Sequence, residues 1–185
     1  MVTKIDQFGR AALITALVEK STGSLGRTAV MKCLYFLQEV EGVPLGYHFS
    51  LYTYGPFDSD VLNDLALAER IGALESRIFE FPGGHGYELS PADTKRLLSQ
   101  AKELVSQYGD KIDWVVQEFG KRSALDLEMA STLIYVDRSA AEEKNPISLQ
   151  DLVKKVHNIK PHLDIRRIER EAMSLGERDL ISARL

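Results

Sequence analysis

One cysteine, four histidines and several glycine-rich turns are the residues from which a reaction centre could be built, and none has the spacing a known chemistry needs. A nucleophile elbow places serine between glycines as G-x-S-x-G, whereas Thr22-Gly23-Ser24-Leu25-Gly26 sets the serine directly after the first glycine. Gly120-Lys121-Arg122-Ser123 lacks both the glycine-rich lead and the lysine-then-hydroxyl order of a phosphate-binding loop. Gly83-Gly84-His85-Gly86 opens no helix and leads into a strand-like segment, so it reads as a turn and not as a dinucleotide loop. His157 and His162 are five residues apart with Pro161 between them, which keeps them off one helical face and unlike a metal-ligand pair. His48 and His85 have no carboxylate at motif spacing, and Cys33 lies within an apolar stripe where a thiol is inert. No catalytic, cofactor-binding or metal-ligating residue is assigned, and the chain reads as a non-enzyme.

The periodicity predicts the elements around these residues. A first helix spans about Asp6 to Lys20, with Ala11, Ile14, Leu17 and Val18 on one face and Arg10 near its edge. Ser21 to Gly26 is a turn. A second helix, about Arg27 to Glu41, is apolar almost all round through Val30, Met31, Cys33, Leu34, Tyr35, Phe36 and Leu37, so other elements should surround it. Gly42 and Pro44 end it. Tyr47 to Tyr54 alternates as an extended segment and stops at Gly55-Pro56. A third helix runs from about Asp58 to Ile71 and stops at Gly72; Leu74–Phe81 and Tyr87–Leu89 flank a glycine turn as a β-hairpin. Beyond it the chain is helical. Ser90-x-x-Asp93, Ser123-x-x-Asp126 and Ser148-x-x-Asp151 each place a capping serine before a first-turn carboxylate. Ser139 to Pro146 reads as a polar connector, and Gly176 to Leu185 as a frayed tail whose Leu180, Ile181 and Leu185 could dock.

The expected fold class is α+β and mainly helical: a winged-helix-like N-terminal half, residues 1–90, packed against C-terminal helices, residues 91–185, as one cooperative domain. A length of 185 residues suffices for a real core. The formal net charge of -4 disfavours nucleic acid as a partner of the whole molecule, although a local basic patch can override it. A single cysteine excludes an internal disulfide and fits a reducing compartment. The N-terminal apolar run carries Thr15 and no small-residue cleavage site follows it, so it is not read as a signal peptide. No stretch approaches the ~18 apolar residues of a membrane span. The expected location is the cytoplasm, with no membrane partner.

The order of several short motifs resembles a known group. Leu34-Tyr35-Phe36-Leu37 on a helix is followed about twenty residues later by Tyr54-Gly55-Pro56-Phe57, then by a helix and hairpin. Thr132-Leu133-Ile134-Tyr135 and a Lys160-Pro161 step before a last amphipathic helix complete the set. This pattern is similar to the bacterial and phage Panacea domain, also called the SocA-like antitoxin domain, and particularly to its uncharacterised YwgA-like relatives. No single motif is specific; order and spacing carry the resemblance. The antitoxin proper usually has valine where this chain has Phe57, and often a tryptophan where it has Tyr52 and Tyr54. What the resemblance implies is a binding role: a phage- or defence-associated, type II antitoxin-like protein that neutralises a toxin by contact or acts as an adaptor to a protease.

Three surfaces are weighed. The third helix, the usual DNA reader of a winged helix, holds Asp58, Asp60, Asp64 and Glu69 against Arg70 alone, which repels phosphate. The basic run lies later, at Lys154, Lys155, Lys160, Arg166, Arg167 and Arg170, and is either a solvated helix face or a patch for nucleic acid or an acidic partner. Among the aromatics Tyr35, Phe36, Tyr47, Phe49, Tyr52, Tyr54 and Phe57, most read as core, and Tyr52, Tyr54 and Phe57 are the expected partner-binding residues. The leading function is therefore a protein-interaction module; the alternative is a DNA-binding regulator using the basic C-terminal helices.

Overall fold

Helix α1 (Gln7–Lys20) is buried without interruption from Ala11 to Val18. The sequence assigned all-round burial to the second helix alone. Alanines at 11, 12 and 16 explain the difference, because small side chains let the helices of residues 59–70 and 102–119 approach the sides that a one-faced stripe would leave wet. Between them Leu13, Ile14 and Leu17 are fully buried, each stabilising by about 2 kcal/mol. Asp6 caps the helix by accepting from the Gly9 backbone N–H at 2.8 Å.

The computed structural model describes residues 4–21, 25–81 and 84–184. Thr22 to Ser24, Pro82, Gly83 and Leu185, which entered the turn and tail readings, lie outside the described residues. The protein is α+β and mainly helical. In chain order the elements are α1, β1 (Leu25–Gly26), α2 (Arg27–Glu39), β2 (Ser50–Tyr52), β3 (Gly55–Phe57), α3 (Ser59–Arg70), β4 (Leu74–Phe81) and β5 (Gly84–Pro91). There follow α4 (Thr94–Gln100), α5 (Lys102–Phe119), α6 (Ala124–Glu142), α7 (Leu149–Ile159) and α8 (Ile165–Glu177). The chain divides into two compact units: residues 1–49 with 58–122, and residues 50–57 with 123–185. These bounds differ from the division at residue 90, because α4 and α5 belong with the elements before them.

In the first unit, the expected hairpin forms as β4 and β5, paired antiparallel from Leu74↔Pro91 to Phe81↔Gly84. The short strand β1, read from sequence as turn, adds to its other side, giving the order β1-β5-β4. Ser90 and Pro91, read as a helix start, belong instead to β5, and α4 starts after Asp93 without a side-chain cap. Helix α2 is buried from Val30 to Leu37 as expected, and Phe36 stacks on Phe119 of α5 at 3.8 Å between ring centres. Gly42, at φ 66°, supplies the left-handed residue after α2.

The second unit is built on α6, which is buried from Leu127 to Ile134. Ser123 and Ser148 cap α6 and α7 as expected, accepting from the backbone N–H of Asp126 and Asp151. Helix α6 continues through Ser139 to Glu142, so the connector is shorter than the sequence suggested. The tail is docked: Ile181 and Ala183 are buried, and the Asp137 carboxylate accepts from the backbone N–H of Ser182 at 2.7 Å and of Ala183 at 2.8 Å.

Candidate functional site

The segment from Ser50 to Phe57 is where sequence pattern and surface chemistry coincide. It was expected to be one extended run ending at Gly55-Pro56. It is a hairpin instead, because Gly55, at φ 88°, turns the chain back and lets Gly55–Phe57 pair with Ser50–Tyr52. Register pairs Tyr52 with Gly55, leaving Thr53 and Tyr54 as the tip. Tyr52 and Tyr54 are 68% and 67% exposed, the largest values among the exposed large hydrophobics. Phe57 is half-buried, with its ring 5.8 Å from that of Tyr52. Of the expected partner-binding residues, two are thus exposed and the third is half-buried against the Tyr52 ring.

The hairpin is pinned from beneath by a charge. Lys160, at the C-terminal cap of α7, is 4% exposed, and its ammonium donates to the carbonyl oxygens of Tyr52, at 2.9 Å, and Thr53. Its counter-charge is Glu128 on α6, also 4% exposed, with Oε1 at 3.1 Å from Lys160 Nζ and 3.3 Å from His162 Nε2. Oε1 nevertheless lacks an aligned hydrogen bond among the described residues. The ammonium directs its aligned donors at the hairpin carbonyls, so its attraction to Glu128 is Coulombic. One turn on from Glu128, the Thr132 hydroxyl is also buried without a partner among the described residues. The hairpin backbone comes close here: a Cβ on Gly55 would sit 3.0 Å from Ser131 Oγ and 3.2 Å from Thr132 Oγ1. Glycine is therefore required twice at position 55, by its dihedral angle and by this approach.

Three separated sequence features meet in this place: Gly55 of the Tyr-Gly-Pro step, Thr132 of the Thr-Leu-Ile-Tyr helix, and Lys160 of the Lys-Pro step. Proline after Lys160 disfavours helix at that residue, which leaves α7 at φ -126° and ψ 69°. Glu128 was missed in the sequence. Its only signal is a lone carboxylate in an apolar helix face, Leu127 to Leu133, which marks a buried charge that needs a partner.

The basic run resolves differently from its expected form. Lys160 is removed from it by burial. Arg167 ion-pairs with Asp126 at 2.8 Å, and Lys154 lies 3.7 Å from Asp151. Lys155, Arg166 and Arg170 remain exposed and unpaired among the described residues. The acids of α3 also divide. Asp64 is fully buried and receives Arg10 Nε at 2.6 Å and the Tyr47 hydroxyl at 2.7 Å. Asp58 caps α3 and accepts from the His48 backbone N–H, and Glu69 pairs with Arg27 at 3.3 Å.

Cys33 is fully buried, and burial pushes its thiol up to about 12. His157 turns Nδ1 to the Leu163 carbonyl oxygen at 3.0 Å. Among the described residues no group of three or more histidine, cysteine, aspartate or glutamate side chains is placed to hold a metal ion. No helix is long and apolar enough to cross a membrane among the described residues. A scan against protein-family models and a search of curated proteins each find no match to this sequence.

Proposed function

We propose that the chain is a non-enzymatic protein-interaction module whose partner docks on the tyrosine hairpin, in the manner of a toxin-neutralising or adaptor protein. The observation that carries this reading is the exposure of Tyr52 and Tyr54 on a tip whose backbone is fixed by buried Lys160. Tyrosine supplies contact area at low entropic cost, and a held backbone removes most of the ordering cost of binding. A solvated loop would need neither a buried ion pair nor a glycine in contact with α6. We read the order α1-β1-α2-α3-β4-β5, with β1 added to the hairpin, as a winged helix. The resemblance to the Panacea or SocA-like antitoxin group supports the choice of partner class, since residues of three of its motifs meet where the hairpin is held. The competing DNA reading keeps Lys155, Arg166 and Arg170, fewer cations than specific phosphate tracking uses.

The test is co-expression with the product of the adjacent reading frame, scored as relief of growth arrest. Relief should occur with the unaltered chain, be lost with Tyr52→Ala/Tyr54→Ala, and persist with Arg166→Glu/Arg170→Glu. Relief that survives loss of both tyrosines, with the variant folded, overturns the assignment of the surface. A salt-sensitive shift of DNA abolished by Arg166→Glu/Arg170→Glu would move the function to nucleic acid.

A further inference from the structure

The first unit carries a cleft of about 400 Å³. Its walls are Phe8 from the first turn of α1 and Ile71 after α3, which are 41% and 44% exposed. Its floor is Leu97 of α4, 3% exposed and packed with Ala12, Ala73 and Ala101 in a small apolar cluster. Two guanidinium groups line it, Arg70 at the end of α3 and Arg96 of α4, together with the carboxylate of Asp93. None of these three charged side chains has a hydrogen bond or ion pair among the described residues.

Arg166 and Arg170 are also unpaired among the described residues; at this cleft two such arginines stand beside an apolar floor. Arg10, Arg27, Arg167 and Arg184 each have a carboxylate partner. Arg70 and Arg96 line a cleft of mixed polar and apolar character and have none among the described residues. The floor is set by core packing, and the walls are exposed side chains around it. A volume near 400 Å³ falls at the small end of ligand sites, enough for one bulky side chain and its neighbour. Two arginines and one aspartate leave one net positive charge. That favours a single carboxylate over a dianionic phosphate, which Asp93 would repel.

We infer that this cleft is a second docking site, for a peptide segment of a partner protein that carries a carboxylate beside a bulky apolar side chain. The apolar side chain enters between Phe8 and Ile71 onto Leu97, and the carboxylate accepts from Arg70 and Arg96. Burial of the apolar side chain supplies the affinity, and the arginines supply the selection for charge.

The probe is the blocked tripeptide N-acetyl-leucyl-aspartyl-leucine amide, titrated into the full isotope-labelled chain by NMR. The backbone amide signals of Ile71, Arg96 and Leu97 should shift and saturate. The asparaginyl counterpart should bind at least about fivefold more weakly, the loss expected for a charge-assisted bond in a half-open site. Arg70→Gln and Arg96→Gln, both surface changes, should each lower affinity for the aspartyl probe and leave that for the asparaginyl probe unaltered. Equal affinity for the two probes on the unaltered chain overturns the inference without recourse to a variant. So do shifts confined to other residues, and so does tighter binding of a phosphoseryl probe, which would assign the cleft to phosphate. These outcomes do not depend on Tyr52 or Tyr54, so failure here leaves the hairpin reading standing.

Discussion

Each unit holds a buried ion pair, and the two are finished differently. In the first, Asp64 is fully buried and accepts from three donors: Arg10 Nε, a second Arg10 nitrogen at 3.3 Å, and the Tyr47 hydroxyl. Arg10 is itself anchored to the Ile5 carbonyl oxygen at 3.1 Å and lies over the Tyr47 ring. In the second, Lys160 and Glu128 are equally buried, yet Glu128 Oε1 lacks an aligned donor, and the lysine points at a hairpin backbone. The first network ties core elements α1 and α3 together. The second holds a surface feature in place and leaves some hydrogen-bonding capacity unused. The first joins scaffold elements to each other; the second joins α6 and α7 to an exposed hairpin.

The comparison breaks most visibly on the open side. Glu128→Ala leaves the Lys160 ammonium buried without a counter-charge and should cost about 3–5 kcal/mol in urea unfolding. Lys160→Met should cost a similar amount, because it strands Glu128 and two carbonyl oxygens. On the closed side, Asp64→Asn should cost less, about 2–3 kcal/mol, since the Arg10 side chain is 18% exposed and can recruit water. If Asp64→Asn costs more than Glu128→Ala, water does not rescue Arg10 and the ranking of the two pairs fails.

A third prediction concerns pH. Burial holds the Cys33 thiol up to about 12 in the folded chain, against 9.0 when unfolded. Tyr47 is also raised above its ordinary 10.0, first by burial and then by Asp64. Between these limits the unfolded chain releases protons that the folded chain keeps. Stability therefore falls as pH rises from about 9, with Tyr47 adding to the slope above 10. Cys33→Ala should flatten the decline between pH 9 and 10 in a series of urea melts. An unaltered slope would place the titrating group elsewhere.

The smallest effect belongs to the displayed residues. Tyr52→Ala and Tyr54→Ala should each change stability by about 0.5 kcal/mol or less, because their rings are exposed. A loss above about 2 kcal/mol would show that the rings are packed in solution, and the display reading would fall.

Much of the scaffold was legible because local rules set it. The Ser123 and Ser148 caps, the end of α2 at Gly42 and the β4–β5 hairpin all follow from neighbouring residues. The errors lie where distant residues decide. Ser90-x-x-Asp93 has the pattern of a cap, but pairing with β4 holds Ser90 and Pro91 in strand β5. Leu25 and Gly26 read as turn because their partners, Leu89 and Glu88, are more than sixty residues away. Lys160 counted as surface charge because nothing beside it in sequence reveals Glu128 or the Tyr52 carbonyl. Asp64 counted as an acid facing outward for the same reason. Charge is easy to count in a sequence; whether a charge is indoors depends on partners that only the fold supplies.

Lys160 holds the hairpin through the Tyr52 and Thr53 carbonyl oxygens. Amide hydrogen exchange of Lys160→Met, compared with the unaltered chain where both are folded, measures this directly. The exchange of amides in Leu51 to Phe57 should accelerate at least about tenfold, while those buried in α1 and α2 keep their protection relative to global stability. Equal protection of the hairpin in both chains would mean that Lys160 is a bystander and that the tyrosines are not displayed by design of the fold.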